Sequence, residues 1–203
     1  MTVYLARHGE TVWNAEGRYQ GRLDSPLTDT GRAQARSTAE TMRGRGVARL
    51  LCSPLGRARA TASVVERAIG LAAEIDADLA ESDIGRWEGL TRDEVEAAYP
   101  GELARRDEDR LHYRPPGGES LADMLVRARA VAGRLDGRTT LIVAHSAINR
   151  VLVAALIGWE DRMADIYQPH HVIYRIDRGG GSAAVTHLVD GAAHPGPYTS
   201  GWS

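Results

Sequence analysis

The sequence has no lysine, no phenylalanine and a single cysteine, Cys52. Because all 25 basic residues are arginines, Schiff-base catalysis by a lysine amine is excluded. One cysteine cannot form an internal disulfide bond, which agrees with a reducing compartment. Apolar runs long enough to cross a bilayer are absent, and the first residues lack the pattern of a signal peptide. The sequence therefore predicts a cytoplasmic protein without a membrane partner.

An excess of charge of one sign is also absent. The 25 basic and 27 acidic residues leave a formal net charge of -2, which argues against nucleic acid as the main partner. The 203 residues are 43% hydrophobic, which is typical of a globular chain and excludes a largely disordered one. Any site for an anion must therefore be built locally.

Short apolar strands alternate with amphipathic helices along the chain. Such alternation predicts an α/β fold with three α/β/α layers, in which a mostly parallel central sheet carries helices on both faces. The predicted strands cover residues 3–6, 49–53 and 139–144, the predicted helices cover residues 29–43, 57–69, 119–135 and 145–157, and a closing hairpin covers residues 172–176 and 184–189.

The sequence contains no internal repeat and no linker between independent domains, so residues 1–203 are predicted to form one domain. Residues 79–118 change character, with loop segments, a short helix and a run of charges before a Pro-Pro-Gly-Gly turn. We interpret them as a cap-like insertion over the active site. Residues 190–203 are predicted to form a flexible tail.

Two histidines and two arginines follow the predicted strands. Arg7 and His8 come directly after the first strand, Arg57 after the second and His145 after the third. Because ligands of parallel sheets bind beyond the carboxyl ends of the strands, we expect these four side chains to converge. Guanidinium groups match phosphate oxygens, and a neutral imidazole can attack phosphorus. We expect a neutral His8 as nucleophile, with a protonated His145 helping to balance the phosphate charge.

A leaving alkoxide also requires a proton. The candidates for supplying this proton are the carboxyl groups of Glu10, Glu81, Asp83 and Glu88. The residue types alone do not decide among these four.

Several ordered motifs resemble the histidine phosphatase superfamily, in its phosphoglycerate-mutase-like branch. The resemblance covers most of residues 3–158. The motifs are Arg7-His8-Gly9-Glu10-Thr11, Asn14, Arg18, Gln20-Gly21, Asp24 to Thr28, Ser53 to Ala62, Leu79-Ala80-Glu81, Gly85 to Gly89, Pro116 to Ser120, and His145.

The resemblance implies roles for matching positions. His8 resembles the phosphorylated nucleophile, Arg7, Arg57 and His145 the phosphate pocket, and Glu81 the proton donor and later base. The family needs neither a metal nor another cofactor. Ser146 departs from the family pattern, in which glycine commonly follows the second histidine, and its hydroxyl is expected to contact the phosphate or to cap the next helix. Residues expected to bind substrate are Asn14, Gln20, Gly21 and Ser146.

The function favoured by the resemblance is hydrolysis of a small-molecule phosphomonoester. A phosphoglycerate-type mutase is the first alternative, although the segment between Gly89 and Pro115 is shorter than the cap of such mutases. A phosphoprotein phosphatase and a non-catalytic phosphate-binding module are further alternatives. The sequence leaves a homodimer open and does not name the phosphate ester.

Three local patterns have simpler interpretations. Cys52 is five positions before Arg57, with four residues between them, whereas the loop of thiol phosphatases has five. Adjacent His170 and His171 would point to opposite faces of a strand, so at most one can join His8 and His145, which argues against a metal site. The alternating charges around residues 102–114 are interpreted as a solvated face of mixed charge.

Overall fold

The computed structural model describes residues 1–198 and contains one seven-stranded sheet. The order of the strands across the sheet is β3-β2-β4-β1-β5-β6-β7. The strands are β1 (Thr2–Arg7), β2 (Arg49–Cys52), β3 (Ala73–Ile75), β4 (Thr140–Ala144), β5 (Val172–Gly179), β6 (Ser182–Val189) and β7 (Ala192–Pro195).

The half of the sheet that carries the site is parallel. β4 pairs in parallel with both β1 and β2, and β3 pairs in parallel with β2. β5, β6 and β7 continue the sheet in antiparallel pairs. The carboxyl ends of β1, β2 and β4 therefore lie at one edge, as the alternation of elements predicted.

Helices cover both faces of the sheet, because the inner strands are apolar on both sides. Val3 and Leu5 of β1 pack with one pair of helices, α6 and α7, whereas Tyr4 and Ala6 pack with the other pair, α2 and α3. The predicted three-layer α/β/α fold is therefore confirmed. The helices are α1 (Val12–Ala15), α2 (Asp29–Met42), α3 (Gly56–Ile69), α4 (Arg92–Ala98), α5 (Glu102–Glu108), α6 (Leu121–Gly133) and α7 (Ser146–Ile157).

Local chemistry explains where the long helices begin and end. The hydroxyl of Thr28 accepts from the amide of Gly31 at the start of α2, and Ser120 forms a capping box with Asp123 at the start of α6. α3 ends at Gly70 and α7 at Gly158, both with left-handed backbone, which glycine adopts without steric cost.

Two strands lie where the residue pattern does not predict a strand. β3 has three residues and two of them are exposed, and all four residues of β7 are exposed. Neither strand shows the alternation of buried and exposed residues on which strand prediction depends. The expectation of a loose tail from residue 190 is wrong for Ala192–Pro195, which pair with β6. Residues 199–203 lie outside the described part of the chain.

The insertion over residues 79–118 has a small core of its own. Two short helices, α4 and α5, follow a 3-10 turn at Gly85–Trp87, and Trp87, Val95 and Leu103 are buried against one another. Within residues 1–198, none of the helices has the length and apolarity required to cross a membrane.

Candidate active site

The parallel strands deliver the predicted histidines to one point. The amide of His8 donates to the carbonyl of Ala144, so the β1–β4 ladder continues one residue beyond β1. His145 directly follows β4, and the centres of the two imidazole rings are 5.1 Å apart. Both rings are almost completely buried. The convergence of His8 and His145 that the strand order predicts is present in the structure.

The hydrogen bonds of His8 determine which ring nitrogen is free to react. Nδ1 lies 2.7 Å from the carbonyl oxygen of Gly9, which can only accept, so Nδ1 carries the proton. Nε2 then has a lone pair and accepts from Nε of Arg57 at 3.2 Å. Burial, together with the neighbouring imidazole of His145 and the guanidiniums of Arg7 and Arg57, holds the pKa of His8 well below its usual value. His8 is therefore a neutral imidazole with a nucleophilic Nε2.

Arg57 is fixed at the start of α3 by three acceptors. Its terminal nitrogens donate to the carbonyls of Leu23 and Gly21 at 2.6 and 2.7 Å and to the carboxylate of Asp24 at 2.9 Å. Asp24 also accepts from the backbone amides of Gly56 and Arg57. One carboxylate thus caps α3 and orients the guanidinium. The sequence motif contained Asp24, but no residue pattern distinguished its side chain as functional.

Arg7 and His145 each have a polar nitrogen that is buried without a hydrogen-bond partner among residues 1–198. These atoms are Nε of Arg7 and Nδ1 of His145. Arg7 donates through a terminal nitrogen to the carbonyl of Gln168 at 3.1 Å, and Nε2 of His145 lies 2.7 Å from the hydroxyl of Ser53. Buried polar groups are normally paired, so these two nitrogens are available to a polar ligand.

The sequence predicts a protonated His145 opposite a phosphoryl group, whereas the surroundings that the protein itself supplies favour the neutral ring. Burial, together with Arg57, Arg7 and Arg127, holds the pKa of His145 well below its usual value. The imidazole is therefore neutral, and the positive charge of the pocket is carried by the arginines. The prediction took account of the negative charge of the phosphoryl group but not of the cost of burying a charged imidazole.

The buried neutral histidines give a prediction about stability. Burial lowers the pKa of His170 to about 3, and His8 and His145 are also lowered, so the unfolded chain binds more protons below its histidine pKa of 6.5. The free energy of unfolding should therefore fall as the pH drops from 7 to 5, by up to about 1.4 kcal/mol per pH unit for each group. Denaturant titration at a series of pH values measures this slope.

A substitution separates this effect from the titration of other groups. In His170→Gln the free energy of unfolding should depend less steeply on pH between pH 7 and 5, by the contribution of about one proton. His112→Gln, which removes an imidazole from the exposed surface of the cap, is the matched control and should keep the slope. An unchanged slope in His170→Gln would contradict the assignment of a neutral buried imidazole.

Glu81 is held at the start of α7. Its carboxylate accepts from the backbone amides of Ala147 and Ile148 at 3.2 Å each and from the amide of Ser82 at 3.0 Å. The first amides of a helix have no partner within the helix, so they bind and orient the carboxylate. Glu81 also lines the same cavity as Arg7 and His8.

The other three candidate carboxylates have partners outside this cavity. Glu10 accepts from the hydroxyl of Thr28, Glu88 accepts from the amide of Arg22, and Asp83 pairs with the Arg22 guanidinium. The structure therefore favours Glu81 among the four.

The predicted substrate-binding residues divide into two groups. Asn14, Gln20 and Gly21 line the cavity of about 200 Å³ that also contains His8. Oε1 of Gln20 is buried there without a partner in the described chain. Gly21 has a left-handed backbone with a φ of 54°, which favours glycine at this position. Ser146 lines an adjoining cavity, and the first amides of α7 are bound by the Glu81 carboxylate and not by the Ser146 hydroxyl.

Three residues of this site were not identified as such from the sequence. Arg18 and Tyr19 line the cavity, and Nδ1 of His170 lies 2.7 Å from the carbonyl oxygen of His8. His170 and His171 lie in the turn before β5, so the strand argument did not apply to them. The conclusion that at most one of them joins His8 agrees with the structure. The ring of His170 has its centre 5.3 Å from that of His8, whereas His171 is exposed.

The thiol of Cys52 does not join the site. Cys52 is completely buried among apolar side chains, and burial raises the pKa of its thiol to about 12. Over the described residues 1–198, no three His, Cys, Asp or Glu side chains are arranged to hold a metal ion.

Comparisons with known proteins agree with this geometry. The pattern of the histidine phosphatase superfamily (branch 1) matches residues 3–191. A probable phosphoglycerate mutase of Salmonella paratyphi B is 37% identical over 172 residues, which are 80% of this chain and 79% of that protein.

Two solved phosphatases have similar structures. Mycobacterial glucosyl-3-phosphoglycerate phosphatase, in complex with VO3, is 31% identical with a TM-score of 0.80, and the match covers 87% of this chain and 92% of that chain. The α-ribazole phosphatase of Shigella flexneri is 29% identical with a TM-score of 0.82 and covers 90% and 93%. On the match over residues 3–191 and the arrangement around His8, the chain belongs to branch 1 of the histidine phosphatase superfamily.

Proposed function

We propose that the protein is a phosphomonoesterase that hydrolyses a small-molecule phosphate ester through a covalent phosphohistidine at His8. The observation that carries this proposal is the unprotonated Nε2 of His8, whose lone pair accepts from Nε of Arg57. The guanidinium of Arg7 lines the same cavity, and the buried imidazole of His145 lies beside His8. This arrangement supplies a nucleophile and the charge that a transferring phosphoryl group requires, so the reaction needs neither a metal nor a cofactor.

The proposed first step transfers the phosphoryl group to the protein. Nε2 of His8 attacks phosphorus in line with the ester oxygen, the P–O bond breaks, and Glu81 in its protonated form gives its proton to the leaving alkoxide. The guanidiniums of Arg7 and Arg57 and the free Nδ1 of His145 contact the phosphoryl oxygens. A dianionic phosphoryl group would favour the protonated form of His145 once it is bound.

The second step returns the enzyme to its starting state. Glu81 removes a proton from water, the water oxygen attacks phosphorus, and the P–N bond breaks to release inorganic phosphate and neutral His8. The amides of Ala147 and Ile148 hold the Glu81 carboxylate in place for both proton transfers.

The relatives leave hydrolysis and mutase activity to be separated by experiment. One relative bears the name of a phosphoglycerate mutase and two similar structures are phosphatases. The short cap, with two helices of seven residues each, supports hydrolysis. Phosphate release from a panel of phosphorylated metabolites, measured beside interconversion of phosphoglycerates, tests the proposal. Interconversion without phosphate release would establish the mutase instead.

Asp24 should act as a positioning residue. Asp24→Asn removes the charge that orients Arg57 and weakens the cap of α3, so we expect kcat/KM to fall about ten- to a hundredfold and stability to fall by about 1 kcal/mol. Because Arg57 contacts the transferring group, the loss should appear in kcat more than in KM.

The control for this substitution is Asp29→Asn. Asp29 is an exposed first-turn residue of α2 that pairs with Arg32 at the surface. It should leave both kinetic constants unchanged. A purely structural role of Asp24 would lower stability without separating kcat from KM.

A further inference from the structure

A second cavity adjoins the one that contains His8. It has a volume of about 290 Å³ and lies between the cap and the start of α7. The two cavities share part of their lining, including Tyr19, Glu81 and Ala147. Because Glu81 borders both cavities, an ester oxygen near its carboxylate would have phosphorus on one side and the rest of the substrate on the other. The second cavity is therefore the place for the leaving alcohol.

Three arginines face this second cavity. Arg106 and Arg110 come from the cap, and Arg150 comes from α7. None of the three forms an ion pair within residues 1–198. Arg106 donates to the hydroxyl of Tyr19 at 3.3 Å. Glu81 and Glu119 also line the cavity, and Glu119 is paired with Arg127. The three arginines thus line the cavity without an ion pair of their own.

Three other arginines of the cap are paired. Arg92 pairs with Asp107, Arg105 with Glu102, and Arg114 with Asp123. The mixed-charge surface expected from the sequence therefore describes the outside of the cap. It does not describe Arg106 and Arg110, which line the cavity.

Arg150 carries the strongest signal of the three. Its Nε is buried and has no hydrogen-bond partner in the described chain. Burial, with the charge of Arg110 as the next cause, lowers its pKa to about 10, so the guanidinium remains charged near neutral pH. A buried polar atom without a partner is costly, and an oxyanion bound in this cavity would supply the missing partner of Nε.

Aromatic side chains form the wall beside these arginines. The rings of Trp87 and Tyr113 are 5.6 Å apart, and those of Tyr19 and Trp87 are 5.7 Å apart. Such a wall packs against the organic body of a ligand, whereas guanidiniums bind its charged end.

We propose that Arg150, Arg106 and Arg110 bind a second anionic group on the substrate, so that the preferred substrates are phosphomonoesters whose alcohol carries a carboxylate or a further phosphate. This proposal rests on the proposed function. It makes the cap cavity a charge-selective site, with the reacting phosphate at His8 and the second oxyanion beyond Glu81.

The test compares esters that differ in charge but hardly in shape. The probes are ω-carboxyalkyl phosphates, the matching neutral ω-carbamoylalkyl phosphates and alkanediol bisphosphates, each in a series of increasing chain length. For the intact protein, kcat/KM should be about ten- to a hundredfold higher for a charged ester of suitable length than for its neutral partner. The carboxylate and bisphosphate series show which oxyanion is preferred.

Substitutions assign the preference to the three arginines. Arg150→Met and, separately, Arg110→Gln should bring the ratio of kcat/KM between charged and neutral esters towards one. Arg105→Gln, in which the lost arginine pairs with Glu102 outside the cavity, is the control and should retain the ratio. If Arg150→Met does not fold, as judged by its thermal unfolding, the cap substitution Arg110→Gln still tests whether the charge preference depends on this cavity.

The outcomes of this test are distinct. Hydrolysis of the neutral esters without a charge preference would overturn the second-anion site and leave the proposed function intact. A preference that persists in both substitutions would also overturn it. If no probe and no aryl phosphate is hydrolysed, the proposed function itself fails.

Discussion

His8→Gln should lower turnover by a factor on the order of 10⁴ or more, the largest effect of any single substitution considered. Glutamine can still donate to the carbonyl of Gly9, so the buried site keeps this hydrogen bond. Its amide cannot accept a phosphoryl group, and the covalent route is lost. Incubation with a labelled phosphomonoester, followed by quenching without acid, should trap one phosphoryl group on the intact protein and none on His8→Gln.

The control for labelling is His112→Gln, which removes an exposed imidazole of the cap and should retain the label. Peptide mapping of the labelled protein should locate the phosphoryl group on His8. Label on Cys52 or on Ser53, which lies beside His145, would contradict the proposed mechanism.

Glu81→Gln should slow the hydrolysis of alkyl phosphates by about 10²- to 10⁴-fold, because their poor leaving groups need a proton in the transition state. Aryl phosphates leave without that proton, so their rate of phosphoryl transfer to His8 should fall far less. The amides of Ala147 and Ile148 bind different oxygens of the carboxylate, so glutamine keeps an acceptor for one of them and loses the other. Single-turnover measurement of alcohol or phenol release separates this step from the later attack of water.

Glu88→Gln is the matched control, since Glu88 belongs to the same loop but binds the amide of Arg22 outside the cavity with His8. Glu88→Gln should change the hydrolysis rates of alkyl and aryl phosphates by the same factor. Equal losses for both ester classes in Glu81→Gln would assign the acid to another residue.

The parallel core and the meeting of His8 with His145 were predictable because both follow from strand order. An apolar run that ends in a polar residue marks the carboxyl end of a buried strand, and parallel strands place these ends together. β3 and β7 were not predictable in the same way, because edge strands with exposed side chains carry no hydrophobic pattern.

The contacts that support the site could not be predicted from the sequence for a different reason. Asp24, Ser53 and His170 act on Arg57, His145 and the backbone of His8 through contacts that depend on tertiary packing. Charge on a side chain likewise depends on burial, which lowers the pKa of His145 and is not visible in the sequence. A sequence pattern reports residue types, whereas desolvation is a property of the folded environment.

The order of the strands has a consequence for how the protein is made on the ribosome. β1 lies between β4 and β5, and Val3 pairs with Thr140, so the strand that carries His8 emerges long before either neighbour. Until most of the chain has been translated, both edges of this apolar strand lack their native partners and are open to aggregation. The proposed phosphatase activity should therefore arise late in synthesis, after β4 and β5 have been translated.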